Sequence, residues 1–78
     1  MARIIDGEKM NLVGKNVKNV RKARGMSQQE LSVKLELHGV YVCRGSISRI
    51  EEQVRTVTDI ELLAISKVLG VEISELYK

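Results

Sequence analysis

The amino-acid sequence predicts an all-α protein, a compact bundle of about five short helices. Apolar residues recur at helical spacing, two capping boxes mark helix starts, and glycines follow several apolar stretches. With 78 residues, 44% of them hydrophobic, the chain can build one apolar core and no second one. We therefore expect residues 1–10 to be a flexible N-terminal extension and residues 11–78 to be the single domain.

The first helix is predicted to run from about Asn11 to the residue before Gly25. Val13, Val17 and Val20 recur at i, i+4 and i+7, as one buried helical face requires. Asn11 can cap the start of this helix, and Gly25 can end it in a left-handed conformation.

A capping box formed by Ser27 and Glu30 predicts the start of the second helix, because each side chain can satisfy a backbone amide that lacks a helical partner. Leu31 and Leu35 give this helix an apolar face, and it should stop near Gly39. The three residues after that glycine are expected to form an extended, partly buried connection.

The third helix has Ile47 and Ile50 on its apolar side. Thr58 and Glu61 repeat the capping box and open the fourth helix, which Gly70 ends. The fourth helix is apolar on almost all sides, and the last eight residues fit a short fifth helix. This apolar surface exceeds what a monomer core needs, so we expect it to serve as an interface. The residues expected there are Leu62, Ile65, Leu69, Val71, Ile73 and Leu76.

The cysteine and histidine content excludes several kinds of site. Cys43 is the only cysteine, so no internal disulfide can form, and with His38 as the single histidine the chain lacks the ligands of a structural zinc site. We expect Cys43 to be a small buried residue. No phosphate-binding glycine loop or catalytic triad is evident. We therefore expect no enzyme activity, no cofactor and no metal.

The compartment and the partner follow from apolar runs and charge. No apolar run approaches the length of a membrane span, so a cytoplasmic protein that does not contact membranes is expected. The net charge of +3 favours polyanionic partners. The chain has two tyrosines and no phenylalanine or tryptophan to stack unpaired bases, which favours double-stranded over single-stranded nucleic acid.

The run from Arg21 to Leu31, followed by Ser46–Glu51 and Leu62–Val71, resembles the Cro and lambda-repressor type helix-turn-helix family, also called the xenobiotic-response-element family. The resemblance covers about residues 11–77. It implies a lambda-repressor-like DNA-binding domain whose third helix lies in the major groove. The function it implies is sequence-specific regulation of transcription, with repression as the expected sign.

The resemblance places the DNA-binding residues at the start of the second helix and on the third helix. Arg44 and Arg49 carry forked donors that suit guanine, and Ser48 can donate to or accept from a base. Gly45 and Ser46 belong to the same set, although Gly45 can offer only close backbone approach. The alternative for these residues is an ordinary solvated helix surface.

At the start of the second helix, the resemblance implies that Gln28 contacts a phosphate, and the alternative is a glutamine that faces water. It also implies an ion pair between Arg21 and Glu51 that orients the third helix. On the first helix, Lys15, Lys18 and Lys22 are expected to form a solvated face.

Two departures from the family pattern concern the third helix. The separation of Leu31 from Ile47 exceeds the usual spacing by about five residues, so an extended connection must replace the short turn. Gln53 stands where the family commonly has glycine, which suggests that the third helix ends later than usual.

Three functions stay open at this stage. The first is a regulator that binds a palindromic operator as a homodimer, through the fourth and fifth helices. The second is an antitoxin or controller protein whose DNA binding depends on a small protein partner. The third is a protein-interaction module that has kept the fold and lost DNA binding.

Overall fold

In the computed structural model, which describes residues 9–78, the chain forms four α-helices followed by one 3₁₀ helix. The elements are α1 (Gly14–Ala23), α2 (Gln28–Leu37), α3 (Arg44–Glu51), α4 (Asp59–Leu69) and the 3₁₀ helix Ile73–Tyr77. The predicted all-α bundle is thus confirmed, with a 3₁₀ turn as its fifth member. Most of the predicted N-terminal extension falls on residues 1–8, outside the described residues.

An aliphatic core holds the elements together. Its largest fully buried side chains are Leu31, Leu35, Ile47, Ile50, Ile65, Leu69, Leu76 and Val17. Helix α3 packs on α1 and α2, while α4 packs on α2, α1 and the 3₁₀ helix. The 3₁₀ helix also packs on α1, where the Asn16 side-chain amide donates a hydrogen bond to the Leu76 carbonyl oxygen at 2.9 Å. The last turn of the chain therefore closes the core.

Both predicted capping boxes are present. Ser27 Oγ accepts from the Glu30 amide at 3.0 Å and the Glu30 carboxylate accepts from the Ser27 amide at 3.1 Å. Thr58 and Glu61 exchange the equivalent bonds at 3.2 and 3.0 Å. Arg55 makes a two-pronged contact with the Glu61 carboxylate at 3.0 and 2.9 Å, which lowers the pKa of that carboxyl.

Helix α1 begins at Gly14, three residues later than predicted, because Asn11 makes tertiary contacts instead of starting the helix. Asn11 Oδ1 accepts from the Gly14 amide at 2.8 Å. Its Nδ2 donates to the carbonyl oxygens of Ile50 at 3.0 Å and Arg55 at 2.7 Å. The side chain thus satisfies the start of α1 and also ties it to the segment after α3.

The predicted end of α2 and the extended connection after it are both confirmed. Helix α2 ends at Leu37, and Gly39 has φ +79, a left-handed conformation that glycine adopts without strain. In the connection, Val42 is buried while Tyr41 is exposed. The Ser32 hydroxyl donates to the Val42 carbonyl oxygen at 2.7 Å, which fixes the connection against α2.

Helix α3 ends at Glu51, so the expectation of a later end is wrong. Gln53 itself takes the left-handed conformation, with φ 65, that glycine commonly supplies at this position. Its buried side chain donates from Nε2 to the Asn11 carbonyl oxygen at 3.1 Å, and its own carbonyl accepts from the Met10 amide at 2.9 Å. These bonds offset a backbone cost of about 1 kcal/mol.

The apolar surface predicted as an interface is mostly part of the core. Ile65, Leu69 and Leu76 are each 1% exposed or less, so the expectation that they face another chain is wrong. A bundle this small needs them, since α4 packs against three other elements. The large apolar side chains that α4 does expose are Ile60, at 68%, and Leu63, at 45%.

Gly14 lies where the backbone of α1 comes close to the backbone of α3. A Cβ atom built on it would overlap the Ile50 carbonyl oxygen and would lie 3.0 Å from Gln53 Cγ. A side chain at this position would therefore force α1 away from the end of α3.

We predict that Gly14→Ala lowers the free energy of unfolding by about 2 kcal/mol, because backbone must move to admit the methyl group. Gly45→Ala is the matched control, since a Cβ there meets only the Arg49 guanidinium at 3.8 and 3.9 Å. Alanine favours the helix by up to about 1 kcal/mol, so the control should unfold at the same or higher urea concentration. Equal midpoints for Gly14→Ala and the unmodified chain would contradict the close approach.

Candidate nucleic-acid interface

Helix α3 separates an apolar side from a polar one. Ile47 and Ile50 are each 1% exposed and hold the helix on the core. On the outward side, Arg44, Gly45 and Arg49 are exposed. This division into two sides follows from the helical period, since positions 44, 45, 48 and 49 lie within about 140° of one another at 100° per residue. Five of the six residues predicted to bind DNA, Arg44, Gly45, Ser46, Ser48 and Arg49, therefore lie on one short helix.

The Arg49 side chain extends back toward the start of α3. Its Nη2 donates to Ser46 Oγ at 3.4 Å, and its guanidinium lies over Gly45, close enough that a Cβ there would be in ordinary van der Waals contact with it. Arg44 begins the same helix. Arg49 itself belongs to the last turn of α3, but its bond to Ser46 brings its guanidinium toward the start of the helix, where Arg44 lies and the backbone amides add partial positive charge.

Ser48 is linked to an acidic residue that the sequence reasoning did not include in the site. Its hydroxyl donates to the Glu52 carboxylate at 3.0 Å, one helical turn further on. Spacing of i and i+4 on the outward side of α3 was a usable signal for this contact. A carboxylate on this face can accept from the amino group of cytosine, so Glu52 joins the candidate site.

Cys43 is exposed, and the expectation that it is buried is wrong. In the extended connection, successive side chains point to opposite sides, and Val42 takes the inward position. Cys43 Sγ lies 3.4 Å from Ser46 Oγ, and this hydrogen bond lowers the pKa of the thiol.

A buried polar cluster connects three helices beneath this surface. Arg21 on α1 contacts Glu51 at the end of α3 through two hydrogen bonds of 2.7 and 2.9 Å, and both residues are at least 93% buried. The bond to Glu51 raises the pKa of Arg21. Arg21 also donates to the Met26 carbonyl oxygen at 2.7 Å, and Gln28 Nε2 donates to Glu51 Oε1 at 3.0 Å.

Gln28 is half-buried and bonded to Glu51, so it does not simply face water. Its NH₂ group carries two N–H bonds, and one of them suffices for Glu51. At this helix start the capping box engages the amides of Ser27 and Glu30, whereas the amides of Gln28 and Gln29 have no partner within their own helix. Lys15, Lys18 and Lys22 on α1 are exposed.

Residues 9–78 contain neither a helix suited to span a membrane nor a cluster of metal ligands. No helix in that part of the chain is long and apolar enough to cross a membrane. The same residues contain no group of three histidine, cysteine, aspartate or glutamate side chains placed to hold a metal ion.

Comparison with known families identifies the class of protein. A helix-turn-helix family model matches residues 17–76, which is most of the chain. The chain belongs to this family, in its xenobiotic-response-element type, a class of DNA-binding transcriptional regulators. The resemblance to Cro and lambda repressor and the fold that it implied are thereby confirmed.

Among solved structures, the chain is similar to the crystal structure of the restriction-modification controller protein C.AhdI from Aeromonas hydrophila. The TM-score is 0.71 and the sequences are 28% identical, over 83% of this chain and 90% of that chain. No curated protein sequence matches the chain.

We predict that Glu51→Ala lowers the free energy of unfolding by about 3 kcal/mol, because it leaves the buried Arg21 guanidinium without its counter-charge. Glu52→Ala is the matched control. Its side chain is exposed, and among residues 9–78 the only side chain that it bonds is Ser48, so the expected loss is at most about 0.5 kcal/mol. Urea unfolding of both variants measures the difference, and identical midpoints would show that the buried pair does not hold α3.

Proposed function

We propose that this protein is a sequence-specific regulator of transcription that binds double-stranded DNA with α3 in the major groove. The observation that carries the proposal is the two-sided character of α3, which buries Ile47 and Ile50 and presents Arg44 and Arg49 outward. An α-helix fits the major groove, and arginine is the residue that most often reads guanine there.

Each outward residue of α3 has a distinct role in this proposal. Arg44 and Arg49 donate to guanine O6 and N7, and Ser48 contacts a neighbouring base. Gly45 lets the helix start approach the base edges, because it has no side chain on the exposed side of α3. Ser46, bonded to Arg49, positions the guanidinium.

The start of α2 contacts the phosphate backbone in this proposal. Gln28 donates one N–H to Glu51 and the other to a phosphate oxygen, and the backbone amides of Gln28 and Gln29 add donors at the positive end of the helix dipole. Through its bond to Glu51, Gln28 is tied to the end of α3, and Glu51 is itself held by Arg21. This link would set the register between backbone contact and base contact.

We further propose a homodimer, since one helix set reads only half of a palindromic operator. The exposed face of α4 is a better candidate for the dimer interface than the residues expected from the sequence, which are mostly buried. Ile60 and Leu63 lie there beside His38 and Val40, along a shallow groove. Such a face, if paired with itself by a two-fold axis, would leave the outward side of α3 uncovered.

Repression is the simpler sign of regulation, because it requires only that the protein occupies a promoter. Such a protein acts where its DNA is, which for a bacterial or phage regulator is the cytoplasm.

A second candidate function, a controller protein of a restriction-modification system, is favoured by the structural similarity to C.AhdI. Selective binding to duplexes taken from the promoter of a restriction-modification gene would support this more specific role.

Selection from a random duplex library should enrich an inverted repeat. We predict that Arg49→Ala weakens binding to that repeat about tenfold or more and relaxes the preference at one base position, because a forked contact to guanine contributes about 1–3 kcal/mol. Lys34→Ala is the matched control, since it removes the same charge from the exposed side of α2. It should lower affinity slightly and leave the sequence preference unchanged.

Two results would oppose the DNA-binding proposal. If no sequence is enriched and binding is weak at all salt concentrations, the fold serves a protein partner instead. If Arg49→Ala and Lys34→Ala behave alike, the outward face of α3 does not read bases.

We predict that Leu63→Lys shifts the chain from dimer to monomer in sedimentation at micromolar concentration, since it places a charge in an apolar contact. Val33→Lys is the control on α2, because Val33 is 46% exposed and Leu63 is 45% exposed. A dimer that survives Leu63→Lys, or that is lost only with Val33→Lys, would move the interface away from α4.

A further inference from the structure

The connection between α2 and α3 carries an aromatic side chain that the proposed site does not use. Tyr41 is 78% exposed and lies two residues before Cys43, the residue that precedes α3. The chain contains only two tyrosines and no other aromatic residue of the Phe, Trp or Tyr type. An isolated aromatic side chain at such exposure next to a DNA-reading helix calls for a physical explanation.

The backbone around Tyr41 dictates its outward position. Val40 donates its amide to the Leu35 carbonyl oxygen at 3.0 Å, and Val42 is buried with its carbonyl held by Ser32 at 2.7 Å. Because both neighbours are fixed inward on an extended segment, the side chain between them must face out. The outward direction of Tyr41 therefore follows from the backbone of the connection.

The position of Tyr41 relative to α3 is defined by an open groove. One side of this groove is formed by Ser32 and Glu36 on α2, and the other by Cys43 and Ser46 at the start of α3. Ser46 bonds the Arg49 guanidinium at 3.4 Å. Tyr41 thus belongs to the same continuous surface as the residues proposed to read bases.

We propose that Tyr41 contacts the sugar–phosphate backbone of the DNA beside the bases that α3 reads, an inference that rests on the proposed function. The phenol hydroxyl donates to a phosphate oxygen while the ring packs on the adjoining sugar. The Glu36 carboxylate repels a phosphate from the inside of the groove, so the contact falls at its outer edge, where Tyr41 is exposed.

The length of the connection makes this contact possible. A short turn between α2 and α3 would have no residue beside α3 that could reach the DNA backbone, whereas this connection supplies one with a long, rigid side chain. A backbone contact on that side would fix the angle at which α3 enters the groove, together with the contact proposed for Gln28 at the start of α2. Tyr41 is in this sense a positioning residue for base reading.

The test uses the duplex obtained by selection and two substitutions at Tyr41. Tyr41→Phe removes only the hydroxyl and should weaken binding about threefold, and Tyr41→Ala should weaken it about tenfold. Both losses should be the same on the selected duplex and on single-base variants of it, because a backbone contact carries no base preference. Tyr77→Ala, in the 3₁₀ helix and 53% exposed, is the control and should bind within about twofold of the unmodified chain.

A spectroscopic readout locates the contact directly. With 3-fluorotyrosine incorporated, the Tyr77→Phe variant gives one ¹⁹F signal from position 41, and the Tyr41→Phe variant gives one from position 77. Addition of the duplex should shift the signal from position 41 and leave the signal from position 77 at its original frequency. Each variant also shows by its unbound spectrum whether the fold is kept.

The outcomes separate this inference from the proposed function. If the unmodified chain binds no duplex, both are overturned. If Arg49→Ala weakens binding while Tyr41→Ala does not, and the signal from position 41 stays unchanged, only the contact by Tyr41 is overturned. If Tyr41→Ala changes the preferred base at one position, the residue reads a base and the backbone contact is overturned.

Discussion

The buried ion pair between Arg21 and Glu51 is the constraint on which the rest of the structure depends. It joins α1 to the end of α3, and through Met26 and Gln28 it also fixes the start of α2. Apolar packing alone lets short helices slide and rotate, since aliphatic side chains have no directional bonds. A pair of hydrogen bonds with fixed geometry restricts that freedom. The ion pair therefore fixes the orientation of α3 as well as its stability.

A second set of polar contacts acts at the same C-terminal end of α3. Asn11 donates to the Ile50 carbonyl oxygen, Gln53 donates to the Asn11 carbonyl oxygen, and the absence of a side chain at Gly14 lets α1 approach the Ile50 carbonyl. The end of α3 is thus held both by a buried ion pair and by close backbone contact with the start of α1. The outward face then has a defined direction, which any reading of base edges requires.

Local signals in the sequence predicted the elements well, because capping boxes and glycine stops act within a few residues. Ser27 with Glu30 and Thr58 with Glu61 marked helix starts that the structure has at the same residues. The failures involve contacts between distant residues. Asn11 does bond the first amide of α1, but the sequence did not show that its Nδ2 also donates to the Ile50 carbonyl oxygen. Gln53 was not expected in a left-handed turn, where its side chain is held by the Asn11 carbonyl oxygen. Neither partner can be read from spacing alone.

The candidate site shows the same division. The residue types of Arg44, Ser48 and Arg49 on one helix face followed from periodicity and from the family resemblance. The exposure of Tyr41 and Cys43 did not, since it depends on which residue of the connection points inward, and Val42 is that residue. The sequence therefore predicts the chemistry on a regular helix more securely than the chemistry in the irregular segment before it.

The bond between Asn16 and the Leu76 carbonyl, which spans 60 positions of the chain, has a consequence for the order of folding. Helix α2 packs on its neighbour α3 and can do so early, whereas α1 packs on α3, α4 and the 3₁₀ helix, all of them distant in sequence. Closing these longer loops costs entropy that is regained only when the late contacts form. During synthesis, α1 is made first and cannot acquire its last partner until residue 76 has left the ribosome. Without residue 76, α1 would lack this bond and its packing against the 3₁₀ helix, and would be more open to proteases, while α2 and α3 would still pack on each other.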